Sequence, residues 1–464
     1  MKATRAKRVG ALLVGLSLVA AACGSDDEAT TATDAVSETT EAPVATDAPE
    51  TTEMTEDTMA PDTTDAMEEE AGETVQSAPT CEGEGDGVLN IATVLPETGN
   101  LAFLGPPEFA GVQLAVDEIN EGGGVLEADV TLDQGDSGDT STDIANQTVD
   151  RQLAAGADAF IGAASSGVSF TFIDKLVENC KIHFSPANTS PDFTTYADDG
   201  LYFRTAPSDV LQGRILGDQI VADGNTSVAI LALQDAYGVG LTANVKKSVE
   251  GAQGEVVAEV IYDPKAAEFT AEVSQIKAAD PQAIVVIGFD ETAKIVQELA
   301  KQGIGPQQGK PLYLVDGNTG NALGEKLPAG LLKGVKGTIP GVAAPGDLRQ
   351  RLLKVDPTLK DYSYSSEAYD AVVVVALATE TAKSDAGVDI AKAMVAVTTG
   401  GTKCTTIKAC FDLIKAGTDL DYDGVSGPIE FNEKGDPTEA SVGVYTYGAD
   451  NKLLAEVKYK AGKL

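Results

Sequence analysis

The sequence predicts an α/β protein built as two lobes, each a parallel sheet with helices on both faces. Three observations carry this. Apolar strand-like runs alternate with amphipathic stretches from Val88 to Val315, the pattern of parallel strands joined by crossover helices. The alternation is too long for one open sheet, and a second series begins after Arg204. Hydrophobic residues make up 43% of the 464 and charged ones 23%, which is enough apolar material for a real core.

Residues 88–95 read as a strand and 108–119 as a helix. Next come strand 130–132, helix 141–155, strand 159–162, helix 168–179 and strand 182–185. The second series runs helix 208–222, strand 227–233, helix 241–249, strand 256–262, helix 269–278, strand 283–288, helix 292–301 and strand 312–315. The apolar run 371–378 is eight residues long, a core helix at most and too short for a bilayer. Ligands of such sheets sit at the carboxyl ends of strands, near helix N-termini.

Two segments of different physics precede the lobes. Residues 1–22 place Lys2, Arg5, Lys7 and Arg8 before an apolar run from Val9 to Ala22, the order of an export signal. The run ends Val19-Ala20-Ala21-Ala22-Cys23. Small residues before a cysteine resemble the lipobox of bacterial lipoproteins, with Ala20 where Leu is more usual. The expectation is a diacylglyceryl group on Cys23, which holds the protein outside the cytoplasm on the membrane; an ordinary signal peptide is the alternative. Residues 23–80 read as an acidic, Thr-rich tether. Positions 24–80 hold 17 Asp/Glu and no Lys or Arg, with too few aliphatics to offset ordering entropy. A partner-binding acidic tail is the other reading of that stretch.

The chemistry of the chain is mostly exclusion. A net charge of −39 argues against nucleic acid as a partner. The single histidine, His183, excludes three-histidine and HExxH zinc sites, and its apolar neighbours make it a core residue. No GxGxxG follows a strand and no GxSxG elbow occurs. Residues 303–310 are only faintly P-loop-like, because Ile304 and Pro311 stand where Gly and Ser/Thr belong. No enzyme activity and no cofactor is expected. Asp419, Asp421, Asp423, Gly424 and Glu430 match calcium-loop spacing. Ser426, Pro428 and the strand-like 429–431 make a polar crossing loop the better reading. With Cys23 lipidated, Cys81, Cys180, Cys404 and Cys410 remain, an even set for an oxidising compartment. Three pairings are open, of which Cys404 with Cys410 and Cys81 with Cys180 is favoured.

Several stretches share an order and spacing with one family. These are Pro96-Glu97-Thr98-Gly99, the run from Gly111 to Asn120, Gly162 to Gly167, Ser185 to Ser190, Tyr202 to Asp209, Gln234 to Gly238 and Asp423 to Pro428. Together they make residues 86–464 resemble the branched-chain-amino-acid type of solute-binding protein that serves ABC importers. The tether and the Cys404–Cys410 segment look like actinobacterial members. The resemblance implies the type I periplasmic-binding-protein fold, two Rossmann-like lobes joined by a three-strand hinge. The crossings are expected near Pro207, Pro340 and Pro428. Lobe one is then 86–206 plus 341–427, and lobe two 207–340 plus 428–464.

The resemblance also assigns a ligand site. Ser165 and Ser166 stand between a strand and a helix, where hydroxyls and N–H groups hold a carboxylate; helix capping by serine would look identical. By the same analogy Ala187 offers its carbonyl to an ammonium, and Thr189 its hydroxyl. Asp316 neutralises that ammonium, or else belongs to an Asp-Gly turn. Tyr237 and Phe289 cover the ligand or pack in the core. Relatives often place a large aromatic in the first loop; here Phe103 or Leu104 supplies an apolar wall. The implied function is capture of a small polar ligand, an amino acid or amide, for delivery to a membrane permease. Sensing to a membrane partner, an extracellular enzyme and a surface protein with a dead cleft are the rivals.

Overall fold

A computed structural model describes residues 85–464. The export segment 1–22, Cys23, the tether 23–80 and Cys81 lie outside the described residues. The first sheet grows from the strand that opens the sequence. Strand β1 (Asn90–Val94) pairs in parallel with β2 (Thr131–Asp133) and β3 (Ala159–Gly162), and β4 (Ile182–Ser185) and β5 (Tyr202–Arg204) extend it in the order β2-β1-β3-β4-β5. All four residues of β3 are buried, as expected where helices cover both faces.

The second sheet starts with β6 (Ser227–Leu233), β7 (Glu255–Tyr262), β8 (Ala283–Ile287), β9 (Leu312–Leu314) and β10 (Lys336–Pro340), all parallel. A separate short pair, β11 (Thr402–Cys404) with β12 (Leu420–Tyr422), follows. Then β13 (Glu439–Thr446) and β14 (Lys458–Lys463) return antiparallel, giving the order β14-β13-β10-β9-β8-β6-β7. The chain thus carries the expected two α/β lobes, the second with two antiparallel edge strands.

Each lobe has its own core. Ile91, Val112, Val116 and Phe184 pack with Val372–Val375 in one, and Leu216, Ile230, Val285 and Leu314 pack together in the other. The apolar run 371–378 is wholly inaccessible and belongs to a longer helix, Ser365–Ala382, which lies on Gly105–Glu121. Among the described residues no helix is long and apolar enough to cross a membrane.

Three crossings join the lobes. After β5 the chain enters the helix Asp209–Ala222, whose Leu216 and Ile220 sit in the second core. After Pro340 it returns, so Leu348 and Leu352 pack in the first. The third crossing, expected near Pro428, begins a few residues later. Ile429 and Phe431 are buried in the first core, so the chain leaves that lobe only between Phe431 and β13.

Two buried charges organise this third crossing. Asp370 lies fully buried in the helix Ser365–Ala382 and accepts from Tyr422 Oη, the Val425 and Ser426 amides and Ser426 Oγ, at 2.6–3.1 Å. A Cβ on Gly424 would stand 2.2 Å from its Oδ2, so only glycine lets the loop close on the carboxylate. Arg204, fully inaccessible, donates from Nε to Asp436 Oδ1 at 2.6 Å and from Nη1 to the Ser190 carbonyl at 2.7 Å. Nη2 reaches Thr194 Oγ1 at 3.1 Å.

Other departures have local causes. The stretch read as one helix, 168–179, is two short ones, Ser166–Ser169 and Ile173–Glu178, because Thr171 Oγ1 takes the Val168 carbonyl at 2.7 Å and ends the first turn. The helix read as 241–249 starts at Ala236, since Asp235 Oδ1 caps the Tyr237 and Gly238 amides at 2.7 and 3.2 Å. Cys404 and Cys410 form a disulfide with Cα atoms 5.4 Å apart. Cys180 is disulfide-bonded too.

Asp436→Ala strips Arg204 of its counter-charge while leaving it buried. Breaking such a pair costs about 3–5 kcal/mol, so urea unfolding of the variant should show a loss of that order. A loss within about 0.5 kcal/mol would mean that the pair is not what ties this crossing down.

Candidate functional site

The cleft is built from strand ends of both lobes. After β3, the loop Ala163–Ser166 is tied to the loop after β4: Ser185 Oγ donates to the Ala163 carbonyl at 2.7 Å, and Asn188 Nδ2 to the Ala163 and Ala164 carbonyls at 2.9 and 3.1 Å. Ser165 Oγ accepts from the Val168 amide at 3.3 Å as a helix cap. Ser166 Oγ accepts from the Ser190 amide at 3.3 Å. The capping reading therefore describes Ser165, and Ser166 links the two loops.

From the second lobe comes Asp316, just past β9 and 7% exposed. Its Oδ1 accepts from Tyr237 Oη at 2.7 Å and Gln212 Nε2 at 2.9 Å, and its Oδ2 from Tyr364 Oη at 2.8 Å. Tyr364 precedes the helix Ser365–Ala382 of the first lobe, so this bond spans the cleft. Asp209, fully buried, accepts from Thr189 Oγ1 at 3.0 Å, and its amide donates to the Thr189 carbonyl at 2.7 Å. Its Oδ1 has no hydrogen-bond partner among the described residues. Burial pushes the Asp316 carboxyl up. Burial, and then the neighbouring charge of Asp316, pushes Asp209 well up. Tyr237 and Phe289 stack with centroids 5.5 Å apart.

Leu104, Ser165, Ser166, Ala187, Thr189, Tyr237, Phe289 and Asp316 all line one cavity. Phe103 lies beside it, with Phe289 and Gly317, in a neighbouring pocket. Leu101 and Tyr364 also line the cavity, and Asp209 and Gln212 support it. Sequence reading missed these four. Asp209 lies inside the crossing motif already recognised, next to the Ser208 cap, so its position was visible although its role was not. The cavity measures about 10 Å³, room for roughly one water, so the lobes stand closed on their own side chains.

Two other sequence signals resolve into structure. The carboxylates of Asp421, Asp423 and Glu430 meet the Lys403 ammonium at 3.0, 2.9 and 3.8 Å. A lysine thus supplies the positive charge that the calcium-like spacing would want. His183 is 1% exposed, with Nε2 2.7 Å from the Gly162 carbonyl and its ring between Phe172 and Tyr202. Burial pushes it from the ordinary 6.5 down to about 3.

A sequence profile described as periplasmic binding protein matches residues 88–450. The chain is 27% identical over 369 residues to the Leu/Ile/Val-binding protein homolog 1 of Brucella abortus, covering 77% of this chain and 90% of that one. It is 26% identical over 366 residues to BasB of Halobacterium salinarum, a substrate-binding protein of a chemotactic signal transduction system, covering 75% and 84%. In fold it resembles the isoleucine complex of LivJ from Streptococcus pneumoniae, with TM-score 0.66, 21% identity and coverage of 81% and 100%. The leucine-binding protein LivK of Thermotoga maritima aligns with TM-score 0.65, 22% identity and coverage of 80% and 97%.

The histidine gives a pH test. A ring held neutral below its ordinary 6.5 stabilises the fold above that value, and the contribution is lost as pH falls. Between pH 7 and 5 the wild type should lose about 2 kcal/mol relative to His183→Gln, read from urea melts at both pH values. Parallel stability curves for the two proteins would show that the ring is not held neutral.

Proposed function

The chain belongs to the periplasmic binding protein family, and we propose that it is a lipid-anchored solute-binding protein that delivers an amino acid to an ABC importer. Membership implies an extracytoplasmic protein. The observation that carries the ligand class is the pair of buried acids, Asp316 and Asp209, at a cavity that no lysine or arginine lines. Such a site favours an ammonium, and the Thr189 hydroxyl and Ala187 carbonyl stand beside it. The loop tied to that segment carries the Ser165 and Ser166 hydroxyls, which suit a carboxylate. Leu101, Leu104, Ala164 and Phe289 leave an apolar corner for a small aliphatic side chain.

With the lobes closed there is no room for such a ligand, so entry requires opening at the hinge. Opening releases Tyr364 from Asp316. A bound ammonium then replaces the tyrosine hydroxyl on that carboxylate, and contacts from both lobes favour the closed form. The relatives point the same way, since their names record leucine, isoleucine and valine as ligands. The BasB relative favours a second reading, in which the loaded protein signals to a membrane receptor. Co-purification with a permease or with a receptor domain, in the presence of ligand, separates the two.

A thermal-shift screen of amino acids, amides and small aromatic acids at millimolar concentration tests the site. A ligand at 100 times its Kd adds about 2.7 kcal/mol. Branched aliphatic amino acids should raise Tm. Asp316→Asn should weaken the best of them by about 1.5–3 kcal/mol, or roughly 10- to 100-fold, and Ser166→Ala with Thr189→Ala should abolish the shift. A ligand that stabilises these variants as well as the wild type would place binding elsewhere.

A further inference from the structure

A second cavity shares no lining residue with the cleft. It measures about 360 Å³, within the size range of small-ligand sites. Pro207, Val342 and Pro437, one from each crossing, form part of its wall. Two carboxylic acids, Glu367 and Glu439, and the Lys463 ammonium share this lining with apolar residues. Glu367, in the first turn of the helix Ser365–Ala382, is 4% exposed. No side chain among the described residues hydrogen-bonds or pairs with its carboxyl. The charges acting on it are those of Asp370 and Glu108, both acids. Lys463, also in the lining, pairs with Glu439 at 3.7 Å. A Cβ on Gly341 would stand 2.2 Å from Glu367 Oε1, so the carboxyl keeps its place only because that crossing residue has no side chain.

A buried acid met by its own backbone amide and by no side chain is still costly. With Lys463 already held by Glu439, apolar walls around the Glu367 carboxyl complement an ammonium on a short hydrocarbon. We propose that this hinge cavity is a second ligand site, taking a small aliphatic primary amine whose ammonium pairs with Glu367 and whose carbon body packs on Pro207, Val342 and Pro428. Burial holds the empty Glu367 protonated, pushed up to about 8. When the ammonium pairs with the carboxylate, the acid proton passes to solvent.

Calorimetric titration of the full chain with isobutylamine hydrochloride at pH 7, against sodium chloride, tests this. One saturable site is expected. Glu367→Gln should weaken it at least about tenfold. Val342→Phe, which narrows the cavity without touching the acid, should do the same while keeping the wild-type melting curve. The cleft variant Ser166→Ala with Thr189→Ala should bind the amine as the wild type does. No saturation in the wild type overturns the proposal, as does binding that survives in Glu367→Gln and disappears in the cleft variant.

Discussion

Arg204 places a guanidinium where no water reaches, and one wall of the cleft takes its shape from it. Burying that charge is costly unless its donors are met. Asp436 meets one, Thr194 another, and the Asn188 and Ser190 carbonyls share Nη1 at 3.4 and 2.7 Å. Those carbonyls flank Thr189 within the loop 185–190, so drawing them toward Arg204 fixes the segment that carries Ala187 and Thr189. Asp436 and the Gly435 carbonyl, which accepts from the Arg204 amide at 3.1 Å, lie on the third crossing. The binding loop and one arm of the hinge therefore share a single anchor.

Against this rigid frame the cleft keeps acids whose needs are met provisionally. Asp316 takes donors from both lobes, and the one from Tyr364 is lost when the lobes part. One carboxyl oxygen of Asp209 has no hydrogen-bond partner among the described residues. The tyrosine hydroxyls of Tyr237 and Tyr364 meet Asp316, and on the proposed reading an ammonium would satisfy it better, because an ionic partner outweighs a neutral one. On the proposed reading, an occupant that brings positive charge to Asp316 and a carboxylate to the serines restores what opening removes, and a neutral or anionic occupant does not.

The two-lobe fold was legible because parallel strands buried on both faces write near-continuous apolar runs, as at residues 159–162 and 283–287. The antiparallel strands β13 and β14 went unread, and β14 forms the edge. Six residues of β14, Lys-Tyr-Lys-Ala-Gly-Lys, carry no apolar run, since an outermost strand needs only one neighbour and one dry face. The third crossing was placed too early, because proline marks a turn but Ile429 and Phe431 are held by tertiary packing that no local pattern records. In the site, residues at strand ends were legible from their motifs. Tyr364 and Gln212 were not, since both act through the far ends of long side chains, one just before and one within a helix whose sequence signal is core packing. Lys403 was missed for a similar reason: the calcium-like spacing is local, whereas the ammonium that meets it arrives from a strand sixteen residues earlier than Asp419.

The central claim is that an amino acid lies between the lobes with its ammonium on Asp316 and its carboxylate on the Ser165–Ser166 loop. A crystal structure with isoleucine tests it most directly. The account predicts the ammonium within about 3.2 Å of an Asp316 oxygen, the carboxylate at the serine loop and Tyr364 displaced from its present bond. Isoleucine bound outside the cleft, or bound there with its carboxylate toward Asp316, would contradict it.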